Sequence, residues 1–122
     1  MMVHELKYDE SNQVVTLVFR NHLLFTDVKP MTDVINELLV GKPYRQLVVF
    51  IHDVYQVENR ETREELSRYL TEIKISDVAF VGGSAANRMV ARVLIKTGVV
   101  KLNGDFFKDV EEAINWLKSK RI

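Results

Sequence analysis

The sequence contains no cysteine, only two prolines and five glycines in 122 residues, and no long apolar run. Without cysteine the chain cannot form a disulfide scaffold, a thiolate zinc site, an iron–sulfur cluster or a cysteine nucleophile. No apolar run approaches the roughly 20 residues that a membrane-spanning helix needs. The first residues also lack the pattern of a signal peptide. We therefore expect a cytoplasmic protein without integral membrane association.

An excess of charge of one sign is also missing. The 17 lysines and arginines balance the 17 aspartates and glutamates, which gives a formal net charge of zero. Proteins that bind nucleic acid through its phosphates normally carry a basic excess, so we expect no nucleic-acid partner. The length is that of one ordinary domain, which can bury a core without a metal or a disulfide. We predict a single domain over residues 1–122.

Hydrophobic periodicity predicts five strands and four helices. The polar turn Asp9–Asn12 separates the first two strands, which are predicted to form an antiparallel hairpin. The later strands alternate with helices, and this pattern is typical of right-handed parallel crossovers. The order ββαβαβαβα thus predicts an α/β fold with a mixed five-stranded sheet, antiparallel at its N-terminal hairpin and parallel elsewhere. The predicted strands are Val3–Tyr8, Val14–Arg20, Leu47–Ile51, Val78–Val81 and Val99–Leu102, and the predicted helices are Val28–Val40, Glu58–Ile73, Ala85–Thr97 and Asp109–Ser119.

Three segments carry a resemblance to a known family. Phe107 with the stretch Glu111–Leu117 is similar to a closing helix pattern, and Val78–Gly83 is similar to a strand that precedes a third helix. Thr26 and Asp27 resemble the polar start of a first helix. Together with the order of elements, these segments resemble the SpoIIAA-like (STAS/SEC14-type) family. The resemblance spans nearly the whole chain and implies the STAS fold. It also implies a domain that contacts another protein or holds a small or lipid-like ligand.

The sequence departs from one branch of this superfamily. Anti-sigma-factor antagonists with the STAS fold carry a phosphorylatable serine at the start of the second helix. The corresponding stretch here, His52–Thr62, contains neither serine nor glycine, and its hydroxyl groups are those of Tyr55 and Thr62. Acidic neighbours such as Glu61 and Glu64 would repel an added phosphate. We therefore expect no phosphoserine switch, and Thr62 is kept as a candidate protein-contact residue.

Ligands of open α/β sheets favour the crevice at the carboxyl ends of the parallel strands. The predicted elements place His52–Tyr55, Gly82–Ser84 and Asn103–Asp105 at that edge. Glycines that open a helix expose N–H groups to which anions can bind. The alternatives are a simple strand end with Ser84 as helix N-cap, and Asp53 as the cap of a turn. The candidate ligand-binding residues of this edge are Asp53, Gly82, Gly83 and Ser84.

Three apolar residues, Leu23, Leu24 and Phe25, fall in a predicted loop before the first helix. One interpretation is that they close the core from the side. The other is that they line a ligand groove or a dimer contact together with the apolar side of the first helix. They are therefore included among the candidate ligand-binding residues.

Arg88, Arg92 and Lys96 recur every four residues on the predicted third helix and form a basic stripe. Such a stripe can dock an acidic partner or meet an anionic lipid surface weakly. It can equally be a solvated face whose long side chains cover the helix. These three residues join Thr62 as candidate protein-contact residues.

No nucleophile and base are placed by a catalytic motif, and no phosphate loop or metal-ligand spacing is present. We therefore predict a non-catalytic regulatory or binding module that contacts a protein partner or a second copy, without a cofactor or metal. The alternative is a small-molecule or lipid-type ligand-binding protein, with an amphipathic ligand near the first helix or the strand ends. An enzyme or nucleotide-binding domain that uses His52, Asp53 and Gly82–Ser84 is a third hypothesis.

Overall fold

The computed structural model describes residues 4–20, 22–51, 59–85, 89, 92 and 103–121. Within these residues, five strands form one sheet in the order β1-β2-β3-β4-β5. β1 is antiparallel to β2 and the remaining neighbours are parallel, so the predicted mixed sheet is confirmed. The elements are β1 (Glu5–Asp9), β2 (Val14–Val18), α1 (Phe25–Leu38), β3 (Gln46–Ile51), α2 (Arg60–Glu72), β4 (Asp77–Gly82), β5 (Gly104–Phe107) and α3 (Val110–Ser119).

The β1–β2 hairpin depends on a turn that Asp9 organises. The Asp9 carboxylate accepts hydrogen bonds from the Ser11 backbone at 3.0 Å and the Asn12 side chain at 2.8 Å. Gln13, with φ of 58°, donates its N–H to the Asp9 carbonyl at 2.7 Å. The polar turn that was predicted from composition therefore closes the hairpin through side-chain bonds, as Asp and Asn commonly do.

The sheet is covered by helices on both faces. α1 and α2 cover one face, where alternate residues of the strands point inward, as the two-residue period of a strand requires. α3 covers the other face. The buried apolar residues under α1 and α2 include Val15, Leu17, Met31, Ile35, Leu47, Val49, Leu70 and Val78, and those under α3 include Val14, Val48, Ala79, Val81, Ala113, Ile114 and Leu117.

α1 begins earlier than its apolar stripe indicates. The sequence predicts a start at Val28 with Thr26 or Asp27 as cap, whereas the helix begins at Phe25 and Leu24 is its N-cap residue. Leucine has no acceptor for this role, and the Asp27 carboxylate instead accepts the Leu24 N–H at 3.0 Å. Because Asp27, a residue of the first turn, accepts the N–H of the N-cap residue, the helix begins three residues before its apolar stripe.

The fifth strand also lies later than predicted. It is Gly104–Phe107, whereas the predicted strand Val99–Leu102 lies outside the described residues. Gly104 allows the close approach to β4, since a Cβ there would lie 2.8 Å from the Val78 carbonyl oxygen. Phe106 stacks on Phe80 with ring centroids 4.6 Å apart. The stacking of Phe106 on Phe80 therefore holds β5 at this position, although the sequence shows only a short aromatic pair there.

Of the four predicted helices, three are described as α1, α2 and α3. Most of the predicted helix Ala85–Thr97 lies outside the described residues, so a fourth helix stays a prediction.

Candidate functional site

The three apolar residues before the predicted first helix divide between core and surface. Leu23 is fully buried and belongs to the core under α1 and α2. Leu24 is 45% exposed and Phe25 is 42% exposed. We call Leu24 and Phe25 the apolar corner. Leu23 therefore closes the core, and only the apolar corner is available to a ligand or a partner.

The apolar corner stands on a firmly held helix start. Asp27 uses one carboxylate oxygen, Oδ2, for two neighbours: it accepts the Leu24 N–H at 3.0 Å and lies 3.2 Å from His4 Nε2. The His4 side chain is completely enclosed, and its ring meets the Phe19 ring edge-on, 5.0 Å between centroids. The start of α1 is thus tied to the segment before β1.

The partners of His4 define where its ring proton lies. Nδ1 accepts the backbone N–H of Arg20 at 3.3 Å. A backbone N–H can only donate, so Nδ1 carries a lone pair and the proton of the neutral ring is on Nε2, facing Asp27. His4 therefore connects the start of β1, the end of β2 and the first turn of α1. The sequence does not indicate this role of His4, because a lone histidine near the N-terminus has no recognisable ligand spacing.

Gly82 and Gly83 have a clear structural role at the end of β4. Their φ angles are 101° and 71°, a region that L side chains rarely adopt. A Cβ on Gly82 would lie 2.5 Å from the Ile51 carbonyl oxygen. The glycines are therefore required by the approach of β4 to β3, and Ser84 beside them is partly buried. Anion binding at this edge stays a prediction, and Asp53 lies outside the described residues.

The third predicted part of this edge is wrong. Asn103, Gly104 and Asp105 were expected after the fifth strand, at the carboxyl end of the sheet. Asn103 instead precedes β5, and its side chain donates to Asp77 Oδ1 at 2.6 Å, at the beginning of β4. These residues therefore lie at the amino end of the parallel strands, because the strand begins later than the hydrophobic pattern indicates.

Thr62 lies inside the fold. It is fully buried, its hydroxyl donates to Asn59 Oδ1 at 2.7 Å, and its backbone N–H donates to the same oxygen at 2.8 Å. Asn59 is the N-cap residue of α2. The hydroxyl that was kept as a candidate contact group is thus part of the helix cap.

Of the basic stripe, only Arg92 is described, and Arg88 and Lys96 lie outside the described residues. The Arg92 guanidinium pairs with the Asp105 carboxylate at 2.5 Å and also donates to the Phe106 carbonyl. Its charge is therefore directed at β5. The protein-contact role of the stripe stays a prediction.

A buried polar network, which the sequence does not predict, lies at the amino end of the sheet. The Gln46 amide donates to Asp77 at 3.1 Å and to the Leu117 carbonyl at 2.9 Å, and it accepts from Arg121 at 2.8 Å. Arg121 also donates to the Asn12 carbonyl at 2.6 Å. A polar residue directly before a buried apolar run is the one signal that could have pointed to it. The network joins β3, β4, α3 and the hairpin turn.

The outer faces of α1 and α2 carry ion pairs one turn apart. A hydrogen bond from Lys29 to Asp33 raises the pKa of the Lys29 ammonium group. Hydrogen bonding to Glu65 raises the pKa of the Arg68 guanidinium in the same way. Both cations are surface groups, so water and salt screen these pairs and they contribute little to stability.

Among the described residues, no helix is both long and apolar enough to cross a membrane. In the same ranges, no three His, Asp or Glu side chains are grouped so that they could hold a metal ion.

Comparisons with known proteins support the architecture. A family model described as "Domain of unknown function (DUF7793)" matches residues 10–121. The search of curated proteins finds no match. Among solved structures, the chain is similar to the crystal structure of an uncharacterized protein from the DUF3478 family with a SpoIIAA-like fold, from Shewanella loihica PV-4. The TM-score is 0.62 at 18% identity, over 94% of this chain and 92% of that chain. The likeness shows the fold alone, and it confirms the SpoIIAA-like fold that the sequence predicts.

Proposed function

We infer that this chain, which belongs to the DUF7793 family, is a non-catalytic regulatory or binding module that acts through protein–protein contact. The observation that carries this proposal is the apolar corner. Two consecutive large apolar side chains, Leu24 and Phe25, are 45% and 42% exposed at a helix start that Asp27 holds in place. Exposed apolar groups on a preorganised element bind a partner with little further loss of conformational entropy.

The proposed occupant of the apolar corner is a second copy of the chain. A formal net charge of zero means that two copies do not repel each other strongly. In a twofold dimer the same patch meets itself, so one apolar corner can cover the other. Burial of Leu24 and Phe25 would then remove from water the apolar surface that α1 leaves exposed.

The hydrogen bonds that polar side chains make within the fold support a non-catalytic role. Among the described residues, no buried side-chain nitrogen or oxygen lacks a hydrogen-bond partner. The groups that most resemble catalytic ones are engaged in the fold: His4 with Asp27, and Asp105 with Arg92. Active sites, in contrast, commonly keep polar groups that destabilise the fold locally and are retained because they take part in the reaction.

The position of Thr62 supports the absence of a phosphorylation switch. The hydroxyl is buried and donates to Asn59, so a kinase could reach it only if the start of α2 opened. A phosphate there would also take the place of the Asn59 cap. We therefore propose that regulation, where it occurs, does not use this residue.

Analytical ultracentrifugation of the full chain over a range of concentrations tests the proposal. We expect the wild type to dimerise, and the double variant Leu24→Ser with Phe25→Ser to do so at least about tenfold more weakly. Full burial of a large apolar side chain is worth about 1.5–3 kcal/mol, and less than half of each of these two side chains is exposed. The loss of both should therefore cost at least on the order of 1.4 kcal/mol, which is a tenfold change in affinity.

Val40→Ser is the matched control. Val40 is 71% exposed just beyond the other end of α1, so the change removes exposed apolar surface outside the corner. We expect its dimerisation to equal that of the wild type. A wild type that stays monomeric, or a corner variant that dimerises normally, would contradict the self-contact.

Native mass spectrometry separates the alternative function, a small-molecule or lipid-type ligand-binding protein. Leu23 is in the core, so the ligand would have to bind at Leu24 and Phe25 or at the strand ends. A bound mass that disappears in the double variant would assign the apolar corner to a ligand. A ligand-free dimer would support the protein contact.

A further inference from the structure

β1 forms one edge of the sheet, and half of its backbone groups point away from β2. The Lys7 carbonyl accepts a hydrogen bond from the Thr16 hydroxyl at 3.4 Å, and the Asp9 carbonyl accepts a backbone N–H of the hairpin turn at 2.7 Å. Both carbonyls therefore face β2. Because backbone groups alternate in direction along a strand, the N–H and C=O groups of Leu6 and Tyr8 face outward. Within the residues that the structure describes, β1 pairs with β2 alone.

The opposite edge of the sheet, which β5 forms, is closed by side chains. The Asn103 carbonyl accepts the Val78 N–H at 2.9 Å and so faces β4, and the alternation then turns the backbone groups of Phe106 outward. The Phe106 carbonyl accepts from Arg92, and the Phe106 N–H donates to the Asp105 carboxylate at 2.8 Å. Such side-chain bonds hinder the pairing of another strand at this edge. Among the described residues, no side chain closes the edge of β1 in this way.

Lys7 determines which charge the edge of β1 favours. Its neighbours in the sequence pack toward the core under α1 and α2, so Lys7 lies on the other face of the strand, where it is exposed. Both acidic residues beside it on that face are engaged: Glu5 pairs with Arg20, and the Asp9 carboxylate accepts hydrogen bonds from the hairpin turn. A strand laid beside β1 therefore meets the positive charge of Lys7, and an acidic residue opposite it would be favourable.

We propose that the edge of β1 binds an extended acidic segment of a partner protein as an added strand. The outward N–H and C=O groups of Leu6 and Tyr8 supply the main-chain hydrogen bonds, and the side chains opposite β1 supply specificity. On the partner, a glutamate or aspartate faces Lys7, and the residues on either side of it are apolar, because they lie beside the partly buried Leu6 and Tyr8. This site goes beyond the proposed function and does not depend on the apolar corner.

A second copy of β1 matches this edge less well. Antiparallel pairing centred on Leu6 would bring Glu5 of one copy to Lys7 of the other, but Arg20 already neutralises Glu5. Pairing centred on Lys7 would place two ammonium groups directly opposite each other, which is destabilising. The edge therefore favours an acidic segment of a different protein.

NMR titration of the full 15N-labelled chain with a blocked pentapeptide tests this site. The peptide threonine–valine–glutamate–valine–threonine presents one acidic residue between two β-branched apolar residues. We expect the amide protons of Leu6 and Tyr8 to move downfield as the peptide binds, because they gain acceptors. The amide proton of Lys7 faces β2 and should change little. A matched peptide with lysine in place of the glutamate should bind about fivefold more weakly.

Two charge reversals serve as controls. Lys7→Glu should weaken binding of the glutamate peptide about fivefold and favour the lysine peptide instead. Lys118→Glu makes the same change at an exposed position of α3 and should leave both affinities unaltered. The two peptides on the wild type decide the matter alone if the Lys7 variant does not fold.

Four results would overturn the proposal. The first is the absence of shifts at Leu6 and Tyr8 up to about 5 mM peptide, a concentration that detects a millimolar Kd. The second is a set of shifts confined to the apolar corner, and the third is equal affinity for the two peptides. The fourth is a change of the Leu6 and Tyr8 amide shifts with protein concentration alone, which would assign the edge to a second copy.

Discussion

Gln46 begins β3 with its amide buried, and it joins elements that are far apart in the sequence. Its nitrogen donates to Asp77 and to the Leu117 carbonyl, while its oxygen accepts from Arg121. Both the nitrogen and the oxygen of the Gln46 amide are therefore hydrogen-bonded. A buried amide of this kind contributes mainly by leaving no neighbour unsatisfied.

Two substitutions at Gln46 should destabilise the fold to different extents. Gln46→Leu removes the partners of Leu117 and Arg121, at a cost of about 1–3 kcal/mol. Gln46→Glu keeps the size but turns the donor into an anionic acceptor that faces Asp77, and should cost more, about 3–5 kcal/mol. Urea unfolding measures both. Equal stability of the Glu variant and the wild type would contradict the network as described.

At the scale of elements, the end of β4 is defined by the backbone of its neighbour. Gly82 adopts a positive φ and also lies against the Ile51 carbonyl, whereas Gly41, after α1, has φ of 76° and open space around it. A comparison of Gly41 with Gly82 therefore separates two contributions to the free energy of unfolding. One is the strain of a side chain at positive φ, and the other is the steric contact of a Cβ with the neighbouring strand.

Alanine substitutions at these glycines should therefore differ in free energy of unfolding. Gly41→Ala meets only the strain of a left-handed conformation, about 1–2 kcal/mol. Gly82→Ala adds a Cβ 2.5 Å from a carbonyl oxygen, and should cost about 3 kcal/mol or more because β3 and β4 must separate. Thermal unfolding of the two variants gives the comparison. Similar losses would show that the sheet accommodates the methyl group.

At the scale of the whole molecule, Arg121 connects α3 to the opposite end of the chain. Its guanidinium donates to Gln46 and to the Asn12 carbonyl, and lies over the Tyr44 ring at 4.2 Å. The stacked, forked geometry is one that arginine provides and lysine does not.

Removal of Arg121 should weaken the whole fold. We expect Arg121→Ala to lower the free energy of unfolding by about 1–3 kcal/mol, since the buried Gln46 side chain loses a donor. Lys118→Ala, which removes the same charge from an exposed position of α3, should change it by less than about 0.5 kcal/mol. Urea titration of both variants checks the difference, and equal losses would mean that only charge matters.

Much of the architecture was predictable because apolar periodicity records which faces are buried. The hairpin, the two central strands and the stripes of α1 and α3 follow from it. The start of α1 and the position of β5 did not, because Asp27 and Gly104 act through backbone contacts that periodicity does not show. The contact of His4 with Asp27 joins residues 23 positions apart, so no local pattern contains it.

The contact of Arg121 with the hairpin turn has a consequence for how the molecule opens. Asn12 and Arg121 are 109 residues apart, and closing a loop of that length costs on the order of 4 kcal/mol of chain entropy. Because the Asp9 bonds are local, we expect the hairpin to form first and the contact with Arg121 to close later in folding. Conversely, detachment of α3 uncovers the turn at once. We therefore expect the two ends of the described chain to open together, so that amide exchange at the hairpin turn and at the end of α3 shows similar protection.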